Sequence, residues 1–397
     1  MSAIVSRRQL LKFAGGASLA GVLAACAPRP AAPAAAPAAA TERTTTATTA
    51  PANAPGKGGP DPKTLKPFVP GTTAGEKPNL PKRIAWANTS DAEFFLAITN
   101  SIDLAAKDRG LEFITAIAND DSTKNIEQIN TFLQRGIAAL CIQPLDANAQ
   151  APVMQQAIDQ GIAVLSLVTP PSTSQVVADQ YKVGNAQGLA AAKWITENLG
   201  GKAKVHYFNI DTIEVLIARH KGVLDGVKTA GPGVEIVSDV NAGAITNDAG
   251  FKTMNTVLQA HPDVNVILGG DTLVLGALAA LEAASKASDK IYISGIDGDA
   301  QALDKIRAGG PYKASFAFAY PMMGYAWGQY AADWLEGKDI PMVQQFNAIE
   351  LNSAQTIDEF QMAMKNVKDT WKNADKYFTN LGNINYATRQ NYLRVSA

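Results

Sequence analysis

The sequence has few of the residues on which metal and thiol chemistry depend. Its 397 residues include two cysteines and three histidines. His206, His220 and His261 do not follow the spacings that are typical of metal ligands. Two cysteines cannot form a framework of disulfides, so stability has to come from a hydrophobic core. We therefore expect no metal, no cofactor and no histidine-dependent catalysis.

An excess of charge of one sign is missing as well. Lysine and arginine number 35, aspartate and glutamate number 36, and no basic stripe is present, which argues against a nucleic-acid partner. The sequence also lacks Gly-x-Ser-x-Gly, a P-loop, a dinucleotide fingerprint and Cys-x-x-Cys. Beyond the N-terminal region, no apolar run is long enough to cross a membrane.

The N-terminal region shows a three-part pattern that is typical of an export signal. Arg7 and Arg8 precede a short apolar stretch over residues 13–23, which ends in Leu23-Ala-Ala-Cys26. The last four residues resemble the lipobox of bacterial lipoproteins, in which small residues precede a cysteine that becomes lipidated. The pattern predicts removal of residues 1–25 and a lipid anchor on Cys26, outside the cytoplasm. Whether the twin-arginine or the general pathway exports the chain stays open.

The composition changes after Cys26. Residues 27–80 hold eleven of the 21 prolines and almost no large apolar side chain. Such a segment cannot bury enough surface to offset the entropy of ordering it, so we predict a disordered tether over residues 26–80. The other cysteine, Cys141, lies in an apolar run and is predicted to be a buried free thiol.

From about residue 81, short β-like runs alternate with amphipathic helical ones, which is typical of parallel sheets with crossover helices. Strands are predicted over residues 83–88, 111–118, 138–143, 162–168, 175–183, 203–208, 234–240, 264–269, 290–296, 313–319 and 344–351. An added helix over residues 358–373 precedes a polar, aromatic tail. Two series of similar length without a linker predict an α/β protein with two doubly wound, parallel-sheet lobes facing a cleft.

Several short motifs occur in a characteristic order along this body. They are Phe94-Phe95, Gln143-Pro-Leu-Asp146, Val183-Gly-Asn-Ala-Gln-Gly188, Ala218-Arg-His-Lys-Gly222, Ala260-His-Pro-Asp-Val264, Gly270-Asp-Thr-Leu-Val-Leu-Gly-Ala277 and Gly295-Ile-Asp-Gly298. Residues 83–351 thereby resemble the type I periplasmic sugar-binding proteins of ABC importers, typified by ribose-binding protein. The same fold occurs in lac-repressor-like regulators, but these carry an N-terminal helix-turn-helix where this chain has an export signal.

The resemblance implies how the lobes are assembled and what they do. Residues 81–183 and 320–349 would form the first lobe, and residues 184–319 and 350–397 the second lobe with a C-terminal extension. The expected function is capture of a small, sugar-like solute by a monomeric, non-enzymatic receptor that delivers it to ABC permease subunits. A sensory protein, a receptor for a nucleoside, autoinducer or amino acid, and a cell-envelope enzyme are the alternatives.

The resemblance also implies individual site residues. Phe94 and Phe95 match the aromatic pair that flanks the sugar ring, and Asp297 matches a ligand-binding aspartate. Asp271 matches a polar step at the end of the preceding strand. Core packing of the phenylalanines and helix capping by the aspartates are the structural alternatives.

A cation of the family's site has two possible counterparts here. Arg219 lies in the stretch where relatives supply a ligand-binding arginine, whereas strict alignment through Gly222 puts Lys221 at that position. Either side chain could reach the cleft. The other would then be a solvated helix charge.

The sequence departs from the ribose receptors at several polar positions. Val168 and Thr169 replace an acidic–basic pair, and Ala319 replaces a glutamine of the cleft. Neighbouring candidates for ligand contact are Asn88, Asp91, Asp146, Thr169, Asp211 and Tyr320. We therefore expect a ligand that is larger than ribose or has fewer or differently placed hydroxyls.

Overall fold

A computed structural model describes residues 64–71 and 75–394. The strands are β1 (Arg83–Asn88), β2 (Glu112–Ile117), β3 (Ala139–Ile142), β4 (Ala163–Leu167), β5 (Ser174–Ala178), β6 (Ala203–Asn209), β7 (Val234–Asn241), β8 (Val266–Leu268), β9 (Tyr292–Asp297), β10 (Tyr312–Ala317), β11 (Ile340–Phe346), β12 (Ile349–Leu351) and β13 (Phe378–Ile384). The helices are α1 (Glu93–Asp108), α2 (Ser122–Arg135), α3 (Ala147–Asp159), α4 (Gln180–Leu199), α5 (Glu214–Val227), α6 (Asn247–Ala260), α7 (Asp271–Ala283), α8 (Ala300–Ala308), α9 (Tyr320–Leu335), α10 (Ala354–Lys365) and α11 (Val367–Thr370). The predicted signal and Cys26 lie outside the described residues. Within those residues, no helix is long and apolar enough to span a membrane.

The strands of the described residues form two sheets. The first has seven strands in the order β13-β11-β5-β4-β3-β1-β2, and the second has six in the order β12-β10-β9-β8-β6-β7. All pairs are parallel except β11 with β13 and β10 with β12. Central strands such as β3 and β4 are buried along their whole length, as expected where helices cover both faces. The predicted α/β architecture of two doubly wound lobes is confirmed.

The chain passes between the lobes where strands end. It leaves the first sheet after β5 and after β11, and it leaves the second sheet after β10. Each of these crossings starts at the carboxyl end of a strand. The carboxyl edges of the two sheets therefore lie next to the crossings and border the cleft between the lobes.

Two predicted strands differ from the observed elements at these crossings. The predicted strand over 175–183 ends at Ala178, because the side chain of Asp179 accepts a hydrogen bond from Lys182 N (3.1 Å) and begins α4. The predicted strand over 344–351 divides into β11 and β12, which belong to different sheets.

The C-terminal extension joins both lobes, which corrects the assignment of residues 350–397 to the second lobe. Leu351 and Ile357 are buried in the core of the second lobe, and Phe360 of α10 packs against the cores of both. Beyond α11, β13 pairs with β11 in the first sheet. Without β13, the edge of β11 would present unpaired backbone groups. Helix α10 is thus a further connection between the lobes.

The end of the predicted tether also belongs to the folded body. Phe68 N donates to Asn380 O (2.9 Å), and Gly382 N donates to Lys66 O (2.7 Å), so residues 66–68 pair with the outer edge of β13. A proline at 67 suits an edge, since it has no N–H to leave unpaired. Gly75 N also donates to Gly337 O (2.8 Å), and Leu80 packs against the core of the first lobe. The prediction of disorder over 26–80 is therefore wrong for residues 64–71 and 75–80.

Helices α4 and α5 are in direct backbone contact in the second lobe. A Cβ atom added to Gly184 would lie 2.0 Å from the carbonyl oxygen of Arg219, and one added to Gly222 would lie 2.2 Å from that of Tyr181. Only glycine permits this approach. The contact fixes the start of α5 relative to the first crossing.

Two reactive side chains are sealed inside the sheets. Cys141 on β3 is fully buried and free, as predicted, and burial raises the pKa of its thiol. His206 on β6 is fully buried and packs edge-on against Phe208 with ring centroids 4.2 Å apart. Burial lowers the pKa of His206 from 6.5 to about 4.

We predict that His206 makes the protein acid-sensitive. Between pH 6.5 and 4 the unfolded chain binds a proton that the folded protein excludes, so the free energy of unfolding falls as the pH decreases through this range. The loss should reach about 3 kcal/mol. Urea unfolding of His206→Leu should lack this component, whereas His261→Gln should retain it. A pH profile that is unchanged by His206→Leu would contradict the prediction.

Candidate functional site

Asp297 ends β9 at the carboxyl edge of the second sheet. Its φ of 120° is rare for a residue with a side chain, and its surface is exposed. Helix α8 begins with Asp299 as the N-cap, so Asp297 does not have the capping position that was the alternative to ligand contact. Desolvation by the surrounding protein raises the pKa of the Asp297 carboxyl to about 7; the charges of Asp271 and Asp299 add to the rise, and the charge of Arg219 opposes it. Asp297 is thus a surface carboxylate within the electrostatic range of a cation.

Asp271, the first residue of α7, is fully buried. One carboxylate oxygen accepts from the hydroxyl of Tyr312 (2.6 Å), and the other accepts from Ser315 Oγ (2.7 Å) and from the backbone N–H groups of Gly298 and Asp299 (both 2.8 Å). Its acceptors are thus occupied by protein donors. This placement corrects the prediction that Asp271 contacts the ligand: it supports the turn that presents Asp297.

Arg219, rather than Lys221, is the cation with an electrostatic influence on both lobes. The charge of Arg219 influences the pKa values of both Asp297 in the second lobe and Tyr320 in the first. Lys221 is exposed, pairs with Asp225 four residues later, and lies 5.4 Å from the ring centroid of Tyr181. Lys221 is therefore a solvated charge with protein partners. Its contact with a ligand stays a prediction, as does that of Arg219.

Aromatic rings line the first lobe at the crossing into α9. Phe94 meets Tyr320 edge-on at 4.4 Å and Phe95 at 4.7 Å between ring centroids. Tyr320 also contacts Phe346, at 5.1 Å. Phe94 and Phe95 are half-buried and pack against the core of the first lobe. The two phenylalanines therefore pack in the core and also keep part of their surface accessible. Burial raises the pKa of the Tyr320 hydroxyl.

Polar groups end two neighbouring strands of the first sheet. Asn88 ends β1 and is 1% exposed, and Gln143 follows β3, the strand that pairs with β1. Asn88 Oδ1 and Gln143 Oε1 are buried and have no hydrogen-bond partner among the described residues. Asn88 was predicted as a site residue and Gln143 was not. The position of Gln143 at the end of a predicted strand was the signal in the sequence that could have identified it.

The other predicted residues have different surroundings. Asp91 is exposed between β1 and α1, and the carbonyl of Thr169 accepts from the Ser166 hydroxyl (2.6 Å) after β4. The side chain of Asp146 caps α3 by accepting from the backbone N–H groups of residues 148 and 149. Asp211 pairs with the Nδ1 of His220 at 2.8 Å. Asp146 and Asp211 thus have protein partners, and their contact with a ligand stays a prediction.

The cleft is therefore bordered by a carboxylate and a guanidinium from one lobe and by aromatic rings and amides from the other. A model of the periplasmic binding protein domain family matches residues 84–339. The chain belongs to this family.

This periplasmic binding protein is similar to proteins from several bacteria. The ribose import binding protein of Bacillus subtilis is 27% identical over 64% of this chain and 81% of its own length. The D-apiose import binding protein of Paraburkholderia graminis is 29% identical over 54% and 69%. The crystal structure of a periplasmic ribose ABC transporter from Conexibacter woesei has a TM-score of 0.63 and 26% identity, covering 72% of this chain and 97% of that one.

A second strained residue lies at the cleft edge of the first lobe. Val168 directly after β4 has φ of 70° and is 50% exposed. Thr169 N donates to Leu167 O (2.9 Å), so Val168 is the centre of a γ-turn with positive φ, which is rare and strained. Strain of this kind persists mainly at functional sites.

We predict that Val168→Asn raises the stability of this binding protein by about 1 kcal/mol. A β-branched residue is disfavoured at positive φ, whereas asparagine tolerates it, and little packing is lost from a half-exposed side chain. Urea unfolding measures the change. Val215→Asn is the matched control, because Val215 is 53% exposed in α5. An equal effect of both substitutions would show that the backbone of Val168 stores no strain.

Proposed function

We propose that this protein is the substrate-binding lipoprotein of an ABC importer and captures a sugar or sugar derivative in the cleft. The observation that carries the proposal is the pairing of chemistries across the cleft. Asp297 and Arg219 of the second lobe stand opposite the rings of Phe94 and Tyr320 in the first. Sugars need both, because their C–H faces pack on aromatic rings and their hydroxyls bond to planar charged groups.

The relatives support this class of ligand. Proteins named for ribose and apiose import match this chain over more than two thirds of their own length. This chain has Val168, Thr169 and Ala319 at positions where the resemblance to ribose receptors implies polar groups. We therefore infer a ligand that is larger than ribose or has fewer or differently placed hydroxyls, bound by a monomer.

Hinge closure would complete the site. Each lobe contributes only part of the ligand contacts, so a ligand that binds both lobes stabilises the closed form. Ligand hydroxyls that donate to Asp297 favour its charged form. Since the pKa of the unliganded carboxyl is about 7, affinity should fall as the pH decreases below 7.

We also infer that the protein performs no covalent chemistry. Its family is one of binding proteins. A cell-envelope enzyme would need a pair of carboxylates in the cleft, for which Asp271 and Asp297 are the candidates. The four hydrogen bonds that Asp271 accepts in its buried position speak against that pair.

A thermal-shift screen followed by calorimetry tests the function. The panel contains D-ribose, D-apiose, D-allose and xylitol, with adenosine and the standard amino acids as representatives of the alternative ligands. A specific ligand at 100 times its Kd should stabilise the protein by about 2.7 kcal/mol. Binding of adenosine or an amino acid alone, or turnover of any compound, would contradict the proposal.

The same assay with Asp297→Ala tests the site. Loss of charge-assisted hydrogen bonds should weaken sugar binding by about 2–4 kcal/mol. The unliganded stability should change by no more than about 1 kcal/mol, because Asp297 is exposed and does not cap α8. Asp304→Ala is the control, because Asp304 is exposed in the middle of α8 and its substitution should leave affinity unchanged. Affinity of Asp297→Ala within twofold of the parent would remove Asp297 from the site.

The lipid anchor is a separate part of the proposal. Residues 23–26 carry the lipobox pattern, and the family is typical of exported proteins. Cys26→Ser in the full chain should therefore move the protein from the membrane fraction to the soluble fraction, since a thiol is needed for lipidation. Cys141→Ser is the control and should leave fractionation unchanged. Continued membrane association of Cys26→Ser would contradict the lipid anchor.

A further inference from the structure

Arg219 is held by a neutral side chain from another helix. Its Nε donates to the Oε1 of Gln180 at 2.8 Å. Gln180 is the first residue of α4, directly after the chain crosses from β5 in the first sheet into the second lobe. The hydrogen bond therefore connects the first crossing with the cation of the cleft.

The backbone contact of the two helices supports the same pairing. Gln180 and Gly184 are four residues apart, so they lie on one face of α4. Gly184 meets the carbonyl of Arg219, where an added Cβ would lie 2.0 Å from the oxygen. Two successive turns of α4 thus hold Arg219: Gly184 contacts its main chain, and Gln180 contacts its side chain.

The partner of Arg219 determines which N–H donors and how much charge the guanidinium keeps for a ligand. Arginine has five N–H donors in a planar fork, and the bond to Gln180 uses the one at Nε. Among the residues that the structure describes, the two Nη groups of Arg219 have no hydrogen-bond acceptor and no carboxylate lies within ion-pair distance. An amide fixes the plane of the fork without neutralising its charge. The charge stays available to a ligand.

We propose that Gln180 is a positioning residue that orients Arg219 toward the cleft and links this orientation to the first interlobe crossing. The proposal rests on the proposed function for the ligand contact of Arg219, but not for the hydrogen bond itself. Gln180 begins the helix that follows the crossing. A hinge motion that moves this crossing would therefore reach Arg219 through the hydrogen bond between the two side chains.

Hydrogen exchange of the Arg219 Nε–H tests the hydrogen bond without any ligand. In protein labelled with ¹⁵N-arginine, the signal is assigned by its loss in Arg219→Lys. Gln180→Met, which keeps the length of the side chain but loses the acceptor, should exchange about tenfold faster. Gln180→Glu keeps an acceptor and should retain slow exchange. Lys182→Met, on the exposed side of the same turn, is the control. Unchanged exchange in Gln180→Met would overturn the proposal.

A double-mutant cycle tests the link to binding, with the sugar from the panel that stabilises the parent as the probe. Gln180→Met should weaken affinity about five- to tenfold when Arg219 is present and not at all in an Arg219→Met background. An equal loss in both backgrounds would overturn the positioning role. If no panel sugar binds, the proposed function fails, whereas the exchange experiment still decides whether Gln180 holds Arg219.

Discussion

The buried carboxylate of Asp271 is the contact on which the second half of the cleft depends. It joins the first residue of α7 to two side chains of β10 and to the backbone that follows β9. A Cβ atom at Gly295 would lie 1.7 Å from one of its oxygens, so the strand beside it must carry glycine. The hydrogen bonds from Gly298 N and Asp299 N to Asp271 fix the path of the backbone after Asp297. Loss of one partner would leave buried donors or a buried charge uncompensated.

The elements with purely local determinants could be predicted from the sequence. Strand β3 is a short apolar run buried by helices on both faces, and α3 starts where Asp146 supplies a side-chain cap. The order of motifs along the chain added the arrangement of the lobes, and the two sheets confirm it. The aromatic pair at Phe94 and Phe95 was recognisable in the same way.

The remaining features depend on contacts between distant residues. A polar residue after a strand is equally suited to capping and to ligand binding, so Asp271 and Asp297 were indistinguishable in the sequence. The structure separates them because one carboxylate is surrounded by four donors and the other reaches the surface. Gln180 stands in a stretch that looked like a strand, and only the approach of α5 gives it a partner. Strand β13 likewise forms because β11 offers an edge more than thirty residues earlier.

The pairing of residues 66–68 with β13 has a kinematic consequence. Residues 66–68 lie on an edge of the first sheet, and the crossings and α10 join the second lobe to that sheet. In a frame of reference fixed on residues 66–68, the hinge closure proposed above would move the second lobe and leave the first lobe at rest. Asp297, Arg219 and Gln180 belong to the second lobe, so in this frame closure would carry the charged groups to the aromatic rings rather than the reverse.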